Sequence, residues 1–297
     1  MAELETSQRP PDGHARETVV VIGAGTMGRG IAQTVAAAGH PTLLYDADRG
    51  NLARGHESLL ASWDRAVQKG KLSPAAASAA RDHLRLAGEL AEAATATIAI
   101  EAIFEDLAAK TDLFRMLDAI VSTDAMLASN TSSLSITRLA AAVTEPGRFV
   151  GLHFFNPVPV LPLVEVVRGL QTEDATVARA LEFAKGLGKT PVVVNDSPGF
   201  VVNRVLLPMI NEAVFCLAEG IAEKEVIDDA MKLGAAHPLG PLALADLIGL
   251  DVCLAIMRTL HADLGDDKYR PAPLLTRMVD AGKLGRKSGE GFYRYGD

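Results

Sequence analysis

TVVVIGAGTMGRGIAQTVAAAGHPTLLYD, residues 18–46, decides how the rest of the chain is read. Its opening VVVI is apolar and β-branched, the composition of a strand buried on both faces. That strand runs into GAGTMG at 23–28, which has G-x-G-x-x-G spacing and opens an alanine-rich helix closed by Gly39. A second short apolar strand, PTLLYD, follows at 41–46. Strand, helix and parallel strand within about thirty residues make a right-handed βαβ unit. The three glycines differ in what they do. Gly23 makes the turn, Gly25 admits a pyrophosphate, and Gly28 lets helix and strand pack closely. Thr26 and Met27 complete the loop at the helix N-terminus, where unpaired N–H groups and the positive dipole end favour phosphate. Asp46 closes the second strand, where a carboxylate accepts hydrogen bonds from ribose hydroxyls and repels a 2′-phosphate. The expected cofactor is therefore NAD rather than NADP, with Arg49 working slightly against that preference.

Outward from this unit, a helix is expected from about 49 to 68, with strands at 96–104, 125–129, 148–155, 163–167 and 190–194. Helical stretches at 107–121 and 173–188 lie between some of them, an alternation that argues for a doubly wound Rossmann-type sheet. From Gly199 onward the pattern is wholly helical, and the SPG at 197–199 reads as the junction. The expected organisation is a flexible tail over 1–16, a Rossmann domain over 17–198 and a helical domain over 199–297. The first helix after the junction, GFVVNRVLLPMINEAVFCLAEG, is apolar on nearly every face and needs cover from other protein. Pro208 inside it should kink it or break its ladder.

Composition narrows the class. The 297 residues are 48% hydrophobic and 22% charged, the balance of an ordinary globular protein. A net charge of −8 opposes a nonspecific grip on nucleic acid, and no apolar run has the length of a membrane span. The polar first sixteen residues lack the apolar core of a signal peptide, and the two cysteines read as small buried hydrophobes of a reducing compartment. Neither cysteines nor histidines show metal-ligand spacing.

Catalytic chemistry is concentrated in GLHFFNPVPVLPLVEVV, residues 151–167. Two apolar strands flank a loop with prolines at 157, 159 and 162, which cannot supply ladder donors. If the strands pair antiparallel about position 159, His153 and Glu165 stand opposite each other on one face. A carboxylate between Val164 and Val166 needs a partner, and an imidazole supplies one. The carboxylate would fix the ring tautomer and stabilise the imidazolium, which suits a general base acting on an alcohol. The bland alternative is a buried bridge that only locks the hairpin. SNTSS at 129–133, Asn156 at the loop and Asn203 in the apolar helix favour a site, although each alone reads as a cap or turn residue.

These stretches, with DSPGFVVNR, MKLGAAHPLGPLALADLIGLD and the ending GRKSGEGFYRY, closely resemble the 3-hydroxyacyl-CoA dehydrogenase family from about Val19 to Tyr295. The resemblance implies a Rossmann domain, a helical domain that dimerises, and interconversion of (S)-3-hydroxyacyl-CoA and 3-oxoacyl-CoA in the cytoplasm. It makes His153 the base, Glu165 its partner, Ser132 a contact to both substrate and cofactor, and Asn203 a holder of the reacting oxygen. Glu105, Lys110, Asn156 and Lys287 match family contacts to the cofactor. Ser58 matches a contact to coenzyme A, and Arg65 stands where the family has a lysine. Two other readings use the same scaffold: an NAD-dependent dehydrogenase of a sugar acid or free hydroxy acid, and a non-catalytic NAD-binding protein.

Overall fold

A computed structural model describes residues 16–296, so all but Arg16 of the expected tail lies outside the described residues. Between Asp196 and Ser197 the chain divides into two compact units. The first is built from β1 (Val19–Ile22), α1 (Thr26–Ala37), β2 (Thr42–Tyr45), α2 (Arg49–Gln68), α3 (Pro74–Asp82), β3 (Leu84–Leu86), β4 (Ile98–Glu101), α4 (Leu107–Ile120), β5 (Met126–Ser129), α5 (Ile136–Ala140), β6 (Phe149–Phe154), β7 (Leu163–Arg168), α6 (Asp174–Gly186) and β8 (Thr190–Asn195).

Its eight strands form one sheet in the order β3-β2-β1-β4-β5-β6-β7-β8. The first six of these are mutually parallel, β7 runs antiparallel to β6, and β8 runs parallel to β7. This is the 3-2-1-4-5-6 Rossmann order extended by two reversed strands, with its switch point between β1 and β4. The central strands are buried because they are apolar on both faces: every residue of β1, β4 and β5 is buried. Helix starts are fixed by side chains that accept otherwise unpaired amides, Asp48 for α2, Ser73 for α3, Asp106 for α4 and Ser135 for α5. The strand β3 and the helices α3 and α5 are additions to the sequence expectation. LRL is only three residues long and half-exposed, too short to show a period.

The second unit contains α7 (Val202–Ala218), α8 (Lys224–Gly234), α9 (Pro241–Ile248), α10 (Leu250–Leu264) and α11 (Pro273–Asp280). Among its described residues there is no strand, only isolated bridges near the end of the chain. Helix α7 is continuous through Pro208, so the proline removes one intrahelical donor without breaking the element. The core gathers Leu207, Val214, Leu242, Leu254, Met257 and Leu260. Two buried carboxylates hold the unit together. Asp228 of α8 accepts from the Leu242 and Ala243 amides at 2.8 and 3.0 Å, capping α9 from outside. Asp246 of α9 accepts from the Phe292 and Tyr293 amides, both at 2.9 Å, and from the Tyr295 hydroxyl at 3.0 Å. The GEGFYRY ending is thereby tied to the helices. Among the described residues no helix is long and apolar enough to cross a membrane, and no cluster of side chains could hold a metal ion.

Candidate active site

At the switch point the glycine loop is shaped by two different constraints. Gly23 has φ +105°, donates its amide to the Tyr45 carbonyl at 2.8 Å, and would set a Cβ 2.5 Å from the Ala102 carbonyl oxygen. At Gly28 a Cβ would lie 1.7 Å from the Gly23 carbonyl oxygen. Both positions therefore exclude any side chain for reasons internal to the fold. Gly25 differs, since an added Cβ would meet nothing within 4 Å. The protein leaves that space open, directly before an α1 N-terminus that has no side-chain cap and no acidic residue in its first turn. Thr26 is exposed there and Met27 half-buried against the core. Asp46 lies beside the loop, its Oδ2 accepting from the Ala24 amide at 2.8 Å and its Oδ1 from the Asp48 amide at 2.9 Å. An unobstructed glycine, free-facing helix amides and a carboxylate one strand over fit a dinucleotide.

The hairpin of β6 and β7 has the expected register, with His153 opposite Glu165. Glu165 is fully buried and His153 nearly so, and Nδ1 of the ring lies 2.8 Å from Glu165 Oε2. Leu152, Phe154, Val164 and Val166 occupy the other face of the hairpin and join the hydrophobic core. The alternation of a strand thus sends apolar groups one way and the polar pair the other. A carboxylate on Nδ1 places the imidazole proton there and leaves Nε2 the basic nitrogen. Phe155 lies against the ring at a centroid distance of 4.4 Å.

Beside the hairpin, the SNTSS turn is tied to a cluster of charged groups, of which Glu101 and Lys110 are buried and Glu105 partly exposed. Asn130 accepts from the Phe154 amide at 2.9 Å through Oδ1, linking the turn to the residue after His153. Glu105 accepts from the Thr131 hydroxyl at 2.5 Å, the Ser132 amide at 3.0 Å and the Ser133 hydroxyl at 3.2 Å. Lys110, buried in the first turn of α4, sets its ammonium 3.0 Å from Glu105 and 2.5 Å from the fully buried Glu101. Glu101 also accepts from the Ser129 hydroxyl at 2.6 Å and the Ile103 amide at 2.7 Å. Burial raises the Glu101 carboxyl above its ordinary range, and Lys110 with the neighbouring donors offsets only part of that. Burial alone would raise Glu105 too, but the Lys110 ammonium and the turn's donors hold it below its usual value. The serines of the turn do not cap the following helix, because Ser135 does.

The remaining expected residues are spread more widely. Asn156 is exposed where the hairpin loop begins. Ser58, half-buried, and Arg65, exposed, both belong to α2 and are seven residues apart, which puts them on one helix face. Asn203, buried in α7, and Lys287, paired with Asp251 at 2.5 Å, belong to the second unit. Sequence reasoning singled out the SNTSS segment without giving Ser129 or Asn130 a role of its own, and it passed over Glu101. The available signal was Glu101 itself, a carboxylate ending the apolar run IAIE.

Comparison with known proteins identifies the family. Residues 18–197 match the family model described as 3-hydroxyacyl-CoA dehydrogenase, NAD binding domain, and residues 199–295 match the C-terminal domain of the same family. The chain is 53% identical over 277 residues to the probable 3-hydroxybutyryl-CoA dehydrogenase of Bacillus subtilis (strain 168), covering 93% of this chain and 96% of that one. It is likewise 53% identical over 275 residues to a protein of the same name from Deinococcus radiodurans, covering 93% and 99%. The crystal structure of (S)-3-hydroxybutyryl-CoA dehydrogenase PaaH1 from Ralstonia eutropha superposes with a TM-score of 0.92 at 48% identity, covering 95% of this chain and 100% of that one. With both domain models matched in order along nearly its whole length, the chain belongs to the 3-hydroxyacyl-CoA dehydrogenase family of NAD-dependent oxidoreductases.

Proposed function

We propose that this protein interconverts short-chain (S)-3-hydroxyacyl-CoA and 3-oxoacyl-CoA, with His153 as general base and Glu165 as its partner. The observation that carries the reading is the 2.8 Å contact between His153 Nδ1 and the fully buried Glu165 carboxylate. A bound NAD supplies the hydride acceptor. His153 Nε2 takes the proton of the substrate's C3 hydroxyl, and Glu165 stabilises the imidazolium so formed. In the reverse direction the imidazolium returns that proton to the developing alkoxide, with Ser132 and Asn203 as further donors to the oxygen. Gly23, Gly25, Thr26, Met27 and Gly28 receive the pyrophosphate and Asp46 the ribose, while Asn156 and Lys287 add contacts to the cofactor. Ser58 and Arg65, on one face of α2, serve coenzyme A; a guanidinium there suits a phosphate.

The names of the relatives support the short acyl chain, since two of the three proteins compared above are named probable 3-hydroxybutyryl-CoA dehydrogenases and the third (S)-3-hydroxybutyryl-CoA dehydrogenase. A homodimer through the helical unit is part of the proposal. It is supported by side chains such as Val205, Leu233 and Leu247, which are more than half exposed. Cytoplasmic residence is supported by two unbridged cysteines, Cys216 and Cys253. The test is a rate profile over 3-oxoacyl-CoA substrates of increasing length, with NADH and NADPH separately, and over free hydroxy acids with NAD alongside (S)-3-hydroxybutyryl-CoA with NAD. Fastest turnover of acetoacetyl-CoA with NADH is expected, together with severe loss in His153→Gln at near-normal NADH binding. Preference for a free hydroxy acid, or full turnover in His153→Gln, overturns the reading.

A further inference from the structure

The geometry assigns Glu101 and Lys110 a shared role as positioning residues: a buried carboxylate and ammonium that hold the SNTSS turn, and with it Ser132, in its working shape. The inference rests on the reading of Ser132 as a contact to substrate and cofactor.

The ammonium of Lys110 has three donors. They face Glu101 at 2.5 Å, Glu105 at 3.0 Å and the Ile103 carbonyl at 3.4 Å. The side chain is 1% exposed. Lys110 therefore reaches the turn through Glu105. From Glu101 two routes reach the turn. One passes through Lys110 to Glu105, which accepts from the Thr131 hydroxyl and the Ser132 amide. The other passes through the Ser129 hydroxyl, which donates to Glu101 and accepts from the Thr131 amide at 3.2 Å. Both routes end on consecutive residues of one turn, and the backbone of Asn130 is itself bonded to the Glu101 carbonyl at 2.8 Å. A glutamate shared in this way sets the turn's conformation without touching any ligand.

A neutral isostere at Glu101 keeps the side chain's size but leaves the buried Lys110 ammonium with Glu105 as its one acidic partner, so positioning is read from local exchange rather than from global stability. In Glu101→Gln without cofactor, hydrogen exchange read by mass spectrometry or NMR should quicken about tenfold or more at the Thr131 and Ser132 amides, a local opening. The Gly23 and Phe292 amides, bonded elsewhere, should quicken far less, whatever the fall in melting temperature from the disturbed ion pair. Ser129→Ala, which removes one hydroxyl only, should quicken the same two amides and serves if Glu101→Gln does not fold. In turnover, Glu101→Gln should lose about tenfold in kcat with NADH affinity little changed, and that loss should vanish in a Ser132→Ala background. Unchanged exchange at Thr131 and Ser132 in both variants overturns the inference, as does a kcat loss that adds in full to that of Ser132→Ala. Full turnover of Ser132→Ala would instead sink the role given to Ser132, and the exchange result would still decide whether Glu101 sets the turn.

Discussion

Replacing Glu165 by Gln removes a charge and little else. The amide has the size of the carboxylate, and its oxygen can still accept from Nδ1–H of His153, so the ring keeps its tautomer and direction. Lost is the attraction between the carboxylate and the imidazolium that forms when His153 takes a proton. With Nδ1 and Oε2 at 2.8 Å, the two charge centres lie about 4 Å apart, and at an effective dielectric constant of about 20 they attract by roughly 4 kcal/mol. Each 1.36 kcal/mol is tenfold in rate, so kcat for oxidation of (S)-3-hydroxybutyryl-CoA, the direction in which the imidazolium forms, should fall up to about a thousandfold. Stability should change by about 1 kcal/mol or less, since one hydrogen bond is kept. NADH formation measures the rate, fluorescence titration the binding, and urea unfolding the stability. Turnover within about tenfold of the parent would show that the attraction does not contribute to catalysis and would refute the reasoning. So would a rate loss that merely follows lost NADH binding.

Three further outcomes are expected. Gly25→Ala meets no protein atom, so it should cost about 1 kcal/mol or less of stability while weakening NADH binding at least tenfold. Gly28→Ala, whose Cβ would sit 1.7 Å from a carbonyl oxygen, should lose stability by at least the roughly 1–3 kcal/mol of an overpacked core; equal stability of the two variants, by thermal melting, would contradict this. Asp246→Ala leaves the Phe292 and Tyr293 amides without their acceptor, and at roughly 1–3 kcal/mol for each buried orphan the unfolding free energy should drop by several kcal/mol. A drop below about 1 kcal/mol in urea unfolding would show that the C-terminal tie is not stabilising. Because the folded-state value of Glu105 lies below its ordinary 4.5, its stabilisation is full above that pH and fades as pH falls through the lower folded value. The gap in melting temperature between the parent and Glu105→Gln should therefore close in acid, and a gap independent of pH would count against the assignment.

Where the deciding information is local, the chain is readable without coordinates. VVVI, the glycine spacing and Asp46 lie within one βαβ unit, and the strands around the prolines of 151–167 have only one pairing that puts His153 across from Glu165. Site residues whose partners are brought together by strand order are not readable in that way. Glu101 looks like a bare strand-end charge until β4 and β5 are known to be neighbours, which brings the Ser129 hydroxyl to it. Asp228 and Asp246 resemble surface carboxylates of amphipathic helices, yet their partners come from segments 14 to 65 residues away. Asp246 did carry a signal, since a charge within ALADLIG is hard to bury alone. The strand β3 gave none: its three residues show no period, and it exists because β2 offers an edge.

The facing of His153 and Glu165 has a bearing on how the hairpin finds its register. Side chains alternate with a period of two, so a slip of one residue between β6 and β7 would bring Glu165 opposite an apolar side chain rather than the imidazole. A stranded anion is far less tolerable than a misplaced valine. The pair that we assign to chemistry therefore also proofreads the fold, and variants neutral at position 165 should tolerate misaligned hairpins that the parent rejects.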